Sequence, residues 1–120
     1  AGAPPFVQAA GLSVMQAPEP FVAKQSQRLA TSYALVADRL ARMNSVEFVE
    51  PDGAFYAFFR LEGLDDSLET AKDILRKTNV GLAPGIAFGQ QGEGFLRLCY
   101  AQPEDTLSRA LDQLEQYFTA

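Results

Sequence analysis

The chain has 120 residues, 48% of them hydrophobic and 21% charged, enough for one domain core and too few for two. Ten Lys and Arg against 15 Asp and Glu leave a net charge of −5, so neither nucleic acid nor an anionic membrane surface is an expected partner. With no His and a single Cys, the composition excludes an imidazole base, a disulfide framework and a thiolate metal cage, and no metal site is expected.

The N-terminus, Ala1-Gly2-Ala3-Pro4-Pro5, lacks both an initiator Met and a charged stretch ahead of an apolar one. It reads as a processed chain or a piece of a longer one rather than a signal peptide. No apolar run approaches the roughly 18–20 residues that span a bilayer, which predicts a soluble chain. Phe6 to Met15 predicts a short helix with Pro5 in its first turn, weakened by Gly11 and ended by Ala17-Pro18-Glu19-Pro20. A second helix is predicted from near Pro20 to Met43, its stripe formed by Val22, Leu29, Tyr33, Val36, Leu40 and Met43. That helix is long enough to reach beyond the core of so small a domain.

Val46 to Val49 alternates with period two and leads into Pro51-Asp52-Gly53, a turn sequence. Ala54 to Leu61 predicts the second strand of a hairpin, with Phe55 and Phe59 on one face and Tyr56 and Phe58 on the other. Two apolar faces predict a central strand covered on both sides. Asp66 with Glu69 three residues on marks a helix start, running to Thr78 with Leu68, Ala71 and Leu75 inward and Asn79 just past its end. Val80-Gly81-Leu82 predicts a short strand, Gly85 to Gly94 a loop, and Phe95 to Ala101 a further strand. Pro103 then opens a final helix with Leu107, Leu111, Leu114 and Phe118 buried. The fold class expected is α+β, with helices packed on a mostly antiparallel sheet.

Arg97 stands out among these residues, because it lies within the apolar strand Phe95-Leu96-Arg97-Leu98-Cys99-Tyr100. A guanidinium in that setting needs a partner. An internal Asp or Glu, or a head reaching solvent at the strand end, would satisfy it. A carboxylate or phosphate ligand gripped by the planar fork would satisfy it equally. The glycine-rich stretch Pro84 to Gly94 matches no phosphate-loop pattern and precedes a strand, so it is read as a loop that positions something else. Asp65 and Asp66 are read as helix-start residues. Lys24, Lys72 and Lys77 are read as solvated helix faces, and Cys99 as a small buried hydrophobe. No catalytic set can be assembled from these side chains.

Three stretches in order carry a resemblance: Pro51-Asp52-Gly53-Ala54-Phe55-Tyr56-Ala57-Phe58, then Pro84-Gly85-Ile86-Ala87-Phe88-Gly89, then Gly92 to Ala101 with Arg97 inside it. In motif order and spacing the chain resembles the C-terminal small domain of class I/II, fold-type I, pyridoxal-phosphate-dependent aminotransferases. The resemblance covers nearly all 120 residues but only the last third of a typical member. It implies residues 1–18 as an interdomain segment and 19–120 as the small domain. It assigns Arg97 the bidentate grip on the substrate α-carboxylate, with the 84–89 loop beside the substrate entrance. The parent would be a cytoplasmic homodimer moving amino groups between an amino acid and a 2-oxo acid with pyridoxal phosphate. The Schiff-base lysine and the phosphate-binding residues of the family are absent from this chain, which implies that it is inactive alone. The other reading left by the residues is a stand-alone module that binds carboxylates or a protein partner without catalysis.

Overall fold

Four helices and a four-stranded antiparallel sheet build the chain in the computed structural model, which describes residues 2–119. In chain order these are α1 (Pro5–Gln16), α2 (Pro18–Ala41), β1 (Val46–Phe48), β2 (Tyr56–Leu61), α3 (Ser67–Thr78), β3 (Ala83–Pro84), β4 (Phe95–Cys99) and α4 (Glu104–Thr119). Two short 3-10 turns, Gly85–Phe88 and Gln90–Gly92, link β3 to β4. The expected α+β class with an antiparallel sheet is what forms.

The sheet order is β1-β2-β4-β3, so β2 and β4 are central and the β1–β2 hairpin is present. The register Ala57↔Leu98 and Phe59↔Leu96 sets one face of the sheet. These four side chains are sealed against Val36 and Leu40 of α2, Ile74 of α3, and Leu107, Leu111 and Leu114 of α4. The prediction that β2 is covered on both faces is corrected. Helices bury only the Ala57–Phe59 face, while Tyr56 and Phe58 on the other are half-buried. Phe55 precedes the strand and is exposed. Period-two alternation of aromatics cannot reveal that one aromatic face lacks helices over it.

Other boundaries shift for local reasons. One residue, Ala17, separates the first two helices, and Pro18 begins α2 because a missing N–H costs nothing in a first turn. The buried residues of α2 are Ser32, Val36 and Leu40, while Val22 is exposed, so its N-terminal half does extend past the core. Helix α3 starts where expected, with the Asp66 carboxylate accepting the Glu69 N–H at 2.9 Å, and ends on Asn79 in the left-handed region at φ 58°. Its inward face is corrected: Ser67, Ala71 and Ile74 are buried, whereas Leu68 and Leu75 point outward. Val80 and Leu82 are buried but unladdered, and the strand they were expected to form is displaced to Ala83–Pro84. Strand β4 ends at Cys99, short of the expected Ala101, although the Tyr100 N–H still donates to the Phe55 carbonyl.

Candidate functional site

The half-buried face of the sheet carries the unusual chemistry. Strand alternation places Phe95, Arg97 and Cys99 of β4 on that face, since Leu96 and Leu98 point into the core. Across the ladder Phe58 pairs with Arg97 and Tyr56 with Cys99. The guanidinium carbon of Arg97 lies 4.1 Å from the centre of the Tyr56 ring and 4.2 Å from that of Phe88, which stands on the first 3-10 turn. Rings at this distance attract a cation through their negative faces. Phe88 also meets Phe58 edge-on at 6.0 Å, and Phe58 stacks on Phe95 at 4.9 Å and 7°. A line of aromatic contacts therefore runs from Phe95 to Arg97.

No Asp or Glu pairs with Arg97 among the described residues. The acids within reach of a base are taken by Arg39, Arg42, Lys72, Arg76, Lys77 and Arg109. Among the described residues no buried side-chain nitrogen or oxygen lacks a partner, so the donors of Arg97 reach solvent rather than being sealed in. The arrangement is a cation steadied by π faces with its donors free. It can take one planar anion in the plane of the fork.

The turn that brings Phe88 to Arg97 is held by a compact set of contacts. Gly85 and Gly92 pack backbone to backbone, and a Cβ on either would overlap the carbonyl oxygen of the other. Glu93 accepts the N–H of Ser67 at 2.6 Å and of Gly94 at 3.1 Å, while the Ser67 hydroxyl oxygen accepts the N–H of Ile86 at 3.1 Å. The carboxylate thus ties the first turn of α3 to the glycine-rich segment. The Ser67 N–H, opposed in part by desolvation, holds its pKa below the usual 4.5. The stretch Gly85 to Gly94, expected as a loop, is a closely packed pair of 3-10 turns.

Of the residues singled out in the sequence, Arg97 alone lies in this group with Cys99 beside it. Cys99 is half-buried on the outer face, not sealed in the core. Asp66 is a helix cap and Asp65 is exposed. Lys72 is bound to Glu69 at 2.6 Å and Lys77 to Asp73 at 2.8 Å on their own helix. Lys24 is exposed on the half of α2 that buries nothing. The residues present do not fit pyridoxal phosphate, since they bring together neither an amine for its aldehyde nor a cradle for its phosphate. Among the described residues no group of His, Cys, Asp and Glu is placed to hold a metal ion. A cavity of about 610 Å³ between residues 79–81, the end of β4 and α4 does not include Arg97.

Sequence reasoning missed Tyr56, Phe88 and Glu93. Tyr56 was placed on the correct face of its strand, but its distance to Arg97 depends on the β2–β4 register, which no local pattern encodes. Phe88 lies in a stretch without periodicity, and only the spacing of Gly85 and Gly92 hinted that the stretch closes on itself.

No family model matches the chain. It is 33% identical over 114 residues to an aspartate aminotransferase of Pyrococcus horikoshii, covering 92% of this chain and 29% of that protein. An aspartate aminotransferase of Thermotoga maritima is 40% identical over 85 residues, covering 71% and 21%. Among solved structures, the aromatic aminotransferase of Pyrococcus horikoshii superposes with a TM-score of 0.77 at 31% identity, over 83% of this chain and 27% of that one. A PLP-dependent aminotransferase of Streptococcus suis gives a TM-score of 0.88 at 18% identity, over 96% and 30%, which speaks for the fold. Among the described residues no helix is long and apolar enough to cross a membrane. The chain therefore matches the C-terminal portion of the fold-type I aminotransferases and spans less than a third of the length of these relatives.

Proposed function

We propose that this chain is the small domain of a cytoplasmic, pyridoxal-phosphate-dependent aminotransferase, moving an amino group between an amino acid and a 2-oxo acid. In this reading residues 19–120 form the domain and residues 1–18 join it to a preceding cofactor-bearing part. The parent is a homodimer. Arg97 grips the substrate α-carboxylate, orienting the substrate for chemistry that the cofactor and the rest of the parent supply. The observation that carries this reading is Arg97 itself: a half-buried arginine whose guanidinium is flanked by two rings, with no acid pairing it among the described residues. The likeness to the aminotransferases supports it, because an arginine without an internal counter-ion is what a carboxylate-binding wall requires.

Arg97→Lys in the parent enzyme is expected to raise KM and lower kcat together, because an ammonium keeps the charge and loses the fork. An unchanged kcat/KM refutes the assignment. The chain alone is expected to transaminate nothing and to take up no pyridoxal phosphate in a form that borohydride fixes. Fixation at one lysine would contradict the solvated reading of Lys24, Lys72 and Lys77.

A further inference from the structure

We infer that Phe88, with Tyr56, is a positioning residue for the carboxylate grip. Its ring holds the Arg97 guanidinium in a fixed plane while leaving the fork's donors unused. The inference rests on the reading of Arg97 as an α-carboxylate ligand and adds what keeps that arginine ready.

A free arginine side chain samples many rotamers, and each must be given up when a ligand is bound in the plane of the fork. An internal carboxylate would fix the rotamer but would occupy the same donors that the ligand needs. Aromatic faces avoid that conflict, because they attract the cation and accept none of its in-plane N–H groups. The structure has this arrangement: Tyr56 at 4.1 Å and Phe88 at 4.2 Å from Cζ, and no ion pair to Arg97 among the described residues.

The position of Phe88 is itself fixed. Its turn is closed by the Gly85–Gly92 contact and tied to α3 through the Ser67 hydroxyl and the Glu93 carboxylate. The ring is about half exposed, at 49%, so it contributes little to the core, and its close neighbours are Arg97 and Phe58. An apolar ring kept at the surface by this much backbone organisation, and spent on a cation, is suited to orienting that cation.

The test uses the 120-residue chain labelled with ¹⁵N and titrated with acetate, against sodium chloride at equal ionic strength. The Arg97 Nε–H signal, identified by its loss in Arg97→Gln, is expected to move with acetate beyond the chloride control. Phe88→Leu keeps an apolar side chain but removes the ring, and should weaken acetate binding about fivefold. It should also reduce the upfield ring-current shift of the Arg97 Cδ protons, leaving the part due to Tyr56. Phe88→Tyr is expected to restore both, and Tyr56→Leu against Tyr56→Phe repeats the comparison from the other ring. Core amide signals such as that of Leu111 report whether each variant is folded. If Phe88→Leu and Tyr56→Leu bind as the wild type does while Arg97→Gln does not, the positioning role is overturned and the carboxylate grip stands. An Arg97 signal unmoved by acetate overturns both. Weak binding by Phe88→Tyr equal to that of Phe88→Leu also overturns the role of the ring.

Discussion

A carboxylate that accepts two backbone N–H groups is favoured in its ionised form, and Glu93 is held that way by Ser67 and Gly94. Its folded pKa lies below 4.5, so the stability it contributes is fully present above that value and is lost as the pH falls through the depressed folded value. Glu93→Gln is therefore expected to be less stable than the wild type at pH 7, with the gap narrowing below pH 4.5. Urea unfolding at a series of pH values checks this, and a gap that stays constant with pH would count against it. Asp73, lowered chiefly by Lys77 and Tyr117, adds an acid limb common to both proteins, so the difference isolates Glu93. At the opposite extreme, burial and the Asp73 bond push the Tyr117 hydroxyl up to about 12. Its contribution is lost between pH 10 and about 12, a limb that Tyr117→Phe should lack. Ala54 is a different kind of residue-scale feature: at φ 65° it holds a conformation disfavoured for a residue with a Cβ, while its carbonyl takes the Tyr100 hydroxyl. Replacing it with Gly removes about 1–2 kcal/mol of strain and adds back somewhat less in unfolded-state entropy, so a net gain of about 0.5 kcal/mol is expected in thermal unfolding.

At the scale of elements, α3 separates what is written locally from what is decided by packing. Its cap at Asp66 and its left-handed end at Asn79 were legible, because each depends on a few neighbouring residues. Its rotation was not, since Leu68-Ala71-Leu75 and Ser67-Ala71-Ile74 are both acceptable helical stripes, and the sheet selected the second. The Ser67 hydroxyl is buried at that position because it has work to do, accepting the Ile86 N–H, which hydropathy alone cannot register. Ile74→Ala is accordingly expected to cost about 2–5 kcal/mol, and Leu75→Ala less than about 1 kcal/mol, in chemical denaturation. Equal losses would mean the helix face is wrongly assigned. The same division explains the candidate site. Arg97 was conspicuous in the sequence as a charge in the middle of a strand whose other members are apolar, whereas its two rings come from a strand 41 residues earlier and a turn with no period. The turn gives its own prediction: Gly85→Ala forces the Gly92 and Phe95 carbonyls aside. It should cost about 3 kcal/mol and release Phe88, with the Arg97 ring-current shift reduced to the part due to Tyr56.

For the whole molecule, the relevant fact is how unevenly the core is distributed along the chain. The radius of gyration is 17.0 Å, against about 13.6 Å for a compact chain of this length. The excess has a visible source: α1 buries no residue, and Phe6, Met15, Phe21 and Val22 are each more than half exposed. From Tyr33 onward the same chain is tied down, with Arg39 of α2 reaching Asp112 and Glu115 of α4 at 2.7 Å each. The apolar character of the first helix was plain in the sequence, but apolarity does not say whether the covering surface belongs to the same domain. If the proposed function holds, that surface belongs to the cofactor-bearing part of the parent. Deleting residues 1–17 is therefore expected to leave the unfolding midpoint of the chain within about 4 °C of its original value, less than 1 kcal/mol of stability. The radius of gyration in X-ray scattering should move toward the compact figure. A large fall in the midpoint would show that α1 supports the core, contrary to its exposure. A midpoint that holds while the radius shrinks leaves a core made wholly of residues after the second helix has begun.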